Sequence, residues 1–201
     1  MPPNLRHVTV IAPAIRPEAF SRASDDLAGF PWCAAITVDA LPAPRGIAPY
    51  TAAIEADIAD DLGNESSGRF ILLHDPAGNP AWGGDFRCVT AAQAPIDEET
   101  VFDQWRAAVG WSWLIDALTD HEAGFAAPSG TVTVTASTPF GGLRHQPSTA
   151  GIELRASWTP ELADGDGLTQ HLAAWQDLLL LMAGLPPLAA NIVPLARGSR
   201  S

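Results

Sequence analysis

The sequence predicts an α+β domain in which one mostly antiparallel sheet of about five to six strands carries about three helices on one side. Three observations lead there. Two long segments space their apolar residues three and four apart, as a helix with one buried face requires. Several shorter segments alternate apolar and polar residues, or run continuously apolar, between clusters of Gly, Pro, Asn and Asp. Consecutive strand candidates are joined by short, turn-rich connections, which favours antiparallel neighbours.

The elements follow in chain order. Residues 16–29 read as a helix, with Pro17 suited to a first turn and Phe20, Ala23 and Leu27 on one face. Residues 33–40, holding Ile36, Thr37 and Val38, read as a strand that runs into the extended Leu41-Pro42-Ala43-Pro44. Residues 51–58 fit either period, because Ala52, Ile54, Ala56 and Ile58 alternate while Ile54, Ile58 and Leu62 have helical spacing; a strand is preferred. After a turn at 63–68, the continuous apolar run Phe70, Ile71, Leu72, Leu73 suits a central strand at 69–74. Turn chemistry at 75–80 and a strand at 85–92 complete an antiparallel hairpin.

Residues 105–122 form the second helix, with Trp111, Leu114, Ile115 and Leu118 inward, Asp116 and Asp120 outward, and Gly124 at the stop. Ser129-Gly130 introduces a strand at 131–137, and the alternating segment 151–158 returns as its hairpin partner. Asp164-Gly165-Asp166-Gly167 forms a turn and cap before the third helix, 168–183, whose inward stripe is Leu168, Leu172, Trp175, Leu179 and Met182. The expected organisation is a variable segment at 1–15, a single domain at 16–195 and a mobile tail at 196–201.

Composition excludes several function classes. The chain has 201 residues, 47% hydrophobic and 17% charged, which suits a folded domain rather than a disordered one. Its 23 acidic residues outweigh 11 basic ones, and every basic residue is Arg. Without lysine there is no Schiff-base or P-loop chemistry, and a net charge of −12 opposes direct binding of nucleic acid. Cys33 and Cys88 are too few and too distant for a zinc ribbon or redox pair, so reduced thiols are expected. No export signal is read, since the run Val8, Thr9, Val10, Ile11 ends at Pro13, and no membrane span, since the apolar run 178–183 stops at Gly184. A cytoplasmic protein without cofactor or metal is expected.

The strings Gly68-Arg-Phe-Ile-Leu-Leu-His-Asp-Pro-Ala-Gly78, Val109-Gly-Trp-Ser-Trp-Leu114, Ser129-Gly-Thr-Val-Thr133 and Arg155-Ala-Ser-Trp-Thr-Pro160 occur together. With Leu41-Pro-Ala-Pro44 and Ala183-Gly-Leu-Pro-Pro187, they resemble an actinobacterial family of uncharacterised proteins, the domain of unknown function number three thousand, over about residues 16–197. The resemblance implies no activity, cofactor or catalytic residue.

Candidate sites come from the residues themselves. His74 and Asp75 at a strand end, with Trp82, Asp85 and Arg87 across the turn, gather an imidazole, two carboxylates and a guanidinium, the parts of an acid–base site. The competing reading has Asp75 capping the turn and pairing with Arg87 while His74 merely ends a strand. Trp111 and Trp113 point about 200° apart on a helix; Trp111 joins the core, and Trp113 either faces a partner, a homodimer surface for instance, or packs on a second helix. Phe140, Gly141 and Gly142 with Arg144 and His145 offer backbone amides and a cation to an anionic ligand, or simply form a flexible connector.

Gly110-Trp111-Ser112-Trp113-Leu114 lacks the second glycine of a nucleophile elbow. The Asp164 to Gly167 loop lacks the first and last acidic ligands of a calcium loop. The expected function is therefore a non-enzymatic protein-interaction or ligand-binding, regulatory module acting through Trp82 and Trp113. The alternative is a hydrolase or lyase that uses His74 with Asp75 or Asp85.

Overall fold

The computed structural model describes residues 16–59, 65–100 and 105–187. The expectations for 1–15 and 196–201 lie outside those residues. Helix α1 is Glu18–Gly29, and the strands β1 (Thr37–Leu41), β2 (Tyr50–Ala59), β3 (Glu65–Asn79) and β4 (Gly84–Pro95) follow as a meander. Helix α2 (Arg106–Asp120) leads to the hairpin β5 (Phe125–Ser137) and β6 (Thr149–Pro160), and α3 (Leu168–Met182) ends the described fold.

All six strands pair antiparallel in the order β1-β2-β3-β4-β6-β5. The β5–β6 hairpin adds to the sheet through β6, so β5 becomes an outer edge. The expected α+β class, antiparallel sheet and helix number hold.

Pleating sorts each strand into two faces. Ile54, Ala56 and Ile58 of β2, Phe70 and Leu72 of β3, Phe86 and Cys88 of β4, and Ile152, Leu154 and Trp158 of β6 belong to one buried core with the helices. That contiguous face decides the ambiguity at 51–58: Ala56 is buried between Ile54 and Ile58 while Asp57 is exposed, and the segment pairs with β1 and β3 on either side, so it is a strand. Burial pushes the Cys88 thiol up and keeps it inert.

Helix α3 lies between α1 and α2 and over β3, β4 and β6. All five residues of its expected stripe are buried, and so are Leu178, Leu180, Gln176 and Asp177 on its other sides. Polar groups there are satisfied: the Cys33 amide donates to the Gln176 side chain at 2.8 Å, and His121 and Asp177 join α2 to α3 at 2.7 Å.

Several expected boundaries move. Residues 65–68, expected in a turn, pair with β2 and β4, and the expected turn at 75–80 gives way to strand as far as Asn79, with an irregularity between His74 and Asn79. The reversal falls at 80–83, where Trp82 and Gly83 donate their amides to the Asn79 carbonyl. Strand β5 starts at Phe125, not after Gly130, because a bulge between Ala126 and Ser129 admits the earlier residues to the ladder. Strand β1 starts at Thr37 rather than 33. Helix α2 stops at Asp120, before the expected Glu122 and Gly124. Helix α3 is capped by Gly167 at φ 104°, with no side-chain cap from the preceding aspartates. Among the described residues, no helix is long and apolar enough to cross a membrane.

Candidate functional site

The register of β3 on β4 separates the residues that the sequence places together. His74 is opposite Phe86 and Leu73 is opposite Arg87. Cross-strand partners share a face and chain neighbours do not, so His74 points under the helices while Arg87 points to the face that, among the described residues, no helix covers.

His74 is 2% exposed and lies between rings, 4.1 Å from Phe86 and 5.8 Å from Phe20 by centroid, with Tyr50 alongside. Its Nδ1 is 3.2 Å from the Asp85 carbonyl oxygen. A carbonyl only accepts, so that contact fixes the Nδ1–H tautomer, and Nε2 has no hydrogen-bond partner among the described residues. Burial lowers the imidazole pKa, against a weaker upward pull from Asp85 and Asp75. Neither carboxylate orients the ring: Asp75 accepts the Ala77 amide at 3.1 Å, and Asp85 is exposed. The result is a neutral histidine packed as an aromatic.

Arg87 is 8% exposed and makes five hydrogen bonds, all to uncharged acceptors. One terminal nitrogen donates to the Ala127 carbonyl at 3.0 Å and to Thr159 Oγ1 at 2.9 Å. The other reaches Ser129 Oγ at 3.1 Å, and the Ser157 carbonyl and hydroxyl at 3.2 and 2.7 Å. The guanidinium thus clamps β4 to β6 and to the bulged start of β5; it does not pair with Asp75.

Beside that clamp, the uncovered face holds a groove of about 540 Å³. Ile71 of β3, and Val89 and Ala91 of β4, form an apolar floor; Ser157, Ser129 and Thr131 supply hydroxyls from the far strands. The space exists because Ala91, Ser129, Thr131 and Ser157 carry short side chains on this face; the side chain that Gly130 lacks would point to the other face, against Trp111. Arg69 and Arg155 line its mouth, each held by a carboxylate on the same face, Glu55 at 2.8 Å and Glu153 at 2.7 Å.

The remaining candidates are scattered. Trp82 is in the β3–β4 turn, where its carbonyl accepts the Thr159 hydroxyl. Trp113 is half-buried, packed on the core and lining a recess with Ile58, Pro95 and Met182, at the far end of β4 from Trp82. Phe140, 78% exposed, and Arg144 flank the short turn Gly141–Leu143 in the β5–β6 connection, and the Leu143 and Arg144 amides are already used on the Phe140 and Gly141 carbonyls. Gly141, at φ 60°, and Gly142 have open space around them rather than a cradle. No group of three or more His, Cys, Asp or Glu among the described residues is placed to hold a metal.

The groove escaped the sequence reading, although its signal was present in the alternate residues Arg87, Val89 and Ala91 and in Arg155 and Ser157. These are the positions that the inward stripes omit.

Residues 16–193 match the model of a family described as "Protein of unknown function (DUF3000)". No curated protein and no solved structure matches the chain.

Proposed function

The chain belongs to that family of unknown function, and on that premise we propose that it is a non-enzymatic protein-interaction or ligand-binding module that works through the uncovered face of its sheet. The groove carries this reading. Its volume is within the range of about 300–1,000 Å³ that small ligands occupy. An apolar floor with hydroxyls and guanidinium groups around it suits a ligand or peptide side chain with an apolar body and polar ends. Arg69 and Arg155 are held by Glu55 and Glu153, so they supply orientation more than net charge.

The hydrolase or lyase reading has less support. A general acid or base must come within hydrogen-bond reach of its substrate, and the helices and the Phe20 and Phe86 rings cover His74.

The reading is tested by titrating ¹⁵N-labelled protein with a panel of peptides and metabolite-sized fragments. Shift changes centred on Ile71, Val89, Ala91 and Ser157 that disappear in Val89→Glu are the expected outcome. Changes centred on His74, or turnover of a panel member that His74→Phe abolishes, would replace this reading with the enzymatic one.

A further inference from the structure

A second feature of the sheet, which shares Ser129 and Thr131 with the groove but does not depend on what the groove binds, is its outer edge. Strand β5 has 13 residues, and among the described residues the one strand it pairs with is β6. Every other backbone N–H and C=O along such a strand points outward, a template for another strand unless charge, proline or shortness guards it. The opposite edge is guarded: β1 has five residues, includes Asp39 and runs into Pro42 and Pro44. In β5, the bulge and Pro128 guard only the beginning. From Ser129 to Ser137 there is no proline and no charged residue.

The order of residues in that stretch is specific. Ser129-Gly130-Thr131-Val132-Thr133-Val134-Thr135-Ala136-Ser137 reads the same in both directions, apart from Gly130 against Ala136. An antiparallel pairing of two copies related by a two-fold axis matches a strand with its own reverse. Centred on Thr133, it places Thr131 opposite the partner's Thr135 and Val132 opposite the partner's Val134. Threonine meets threonine on the uncovered face, and valine meets valine on the helix face, as favourable cross-strand pairs do. A one-residue slip would put Thr against Val and turn the faces over.

The surroundings fit the same occupant. Val132 and Val134 are half-buried, packed on the core but left open at the edge. Trp111 of α2 is half-buried beside Gly130, where an added Cβ would be 2.8 Å from the indole, so the helix layer brings an apolar flank up to the edge. Two chains of net charge −12 repel each other. They can meet at short range only where a surface strip carries no charge, and β5 is such a strip.

We propose that β5 pairs with β5 of a second copy, antiparallel and centred on Thr133, joining two six-stranded sheets into one. The test is sedimentation equilibrium of the full chain across micromolar concentrations, for wild type, Thr133→Lys, Thr133→Glu and an equimolar mixture of the two variants. Thr133 is exposed and lies opposite Glu153 on β6, so the fold of each variant, and of Thr133→Glu above all, is checked by its circular-dichroism spectrum. Wild type associates to a dimer, and each variant, placing like charges opposite each other at the two-fold, weakens it by roughly 5- to 30-fold. The mixture, which sets Lys against Glu, forms more dimer than either variant alone. A wild type that stays monomeric overturns the proposal, whether or not it binds an added β-strand peptide. So does a Thr133→Lys chain as dimeric as wild type, or a mixture that fails to re-associate.

Discussion

The indole N–H of Trp175 on α3 donates to the hydroxyl of Thr90 on β4 at 2.8 Å, and that hydroxyl donates onward to the Arg69 carbonyl at 2.9 Å. Trp175 is fully buried and Thr90 is 2% exposed, so water replaces neither bond. One threonine therefore ties the central helix to two central strands. Replacing it with valine preserves the shape and strands a buried indole donor. Thr90→Val is expected to cost about 1–3 kcal/mol, with Thr90→Ser close to wild type, as measured by urea unfolding.

Acid is expected to destabilise the fold through histidines. His171 is buried, its Nδ1 accepts the Trp158 indole N–H at 3.1 Å, and burial pushes its pKa down to about 4. The unfolded chain takes up a proton near pH 6.5, so below that pH it binds more protons than the folded chain. The contribution is fully present above about pH 6.5 and is lost as pH falls toward about 4, amounting to on the order of 3 kcal/mol. His74, also lowered by burial, acts in the same direction. Unfolding free energies of wild type and His171→Gln between neutral and acid pH check this. The pH-dependent loss should shrink in the variant, whatever its stability at neutral pH.

Arg87 should be structural and not replaceable by lysine. Its two terminal nitrogens bridge three strands through five acceptors, a fan that a single ammonium cannot reproduce. Arg87→Lys and Arg87→Met are both expected to lose about 2–3 kcal/mol. Faster amide exchange around residues 125–129, where the Ala127 carbonyl loses its donor, should accompany the loss.

Gly68 lets the sheet and α3 approach closely. A Cβ there would be 2.5 Å from Leu179 Cδ2 and 3.0 Å from the Trp175 ring. Gly68→Ala should therefore cost about 1–3 kcal/mol by overpacking. The same change in a Leu179→Ala background, where the clashing methyl is gone, should cost less. A double-mutant cycle measured by thermal unfolding reads that coupling.

Local pattern was enough to give the sequence of elements. Phe20, Ala23 and Leu27 recur at helical spacing and are buried together, and the stripe from Leu168 to Met182 faces the sheet. These periodicities are properties of a segment, so they can be read without knowing its neighbours. Element ends were less legible. The Ser and Gly at 66–68 and the Asp75 to Asn79 stretch carry turn residues, yet adjoining strands draw them into the ladder because each pairing satisfies backbone groups that a turn would leave to water.

Amino-acid order alone thus determined an acidic, lysine-free α+β chain with an antiparallel sheet, the inward residues of its helices, and the self-matching order of residues 129–137. Only the tertiary structure decided that His74 and Arg87 part to opposite faces, that Trp82 and Trp113 stand at opposite ends of β4, and that Ile71, Val89 and Ser157 share a groove. The reason is pairing register. Alternation assigns residues to two faces within one strand, but which face of one strand joins which face of the next is fixed only when distant segments hydrogen-bond.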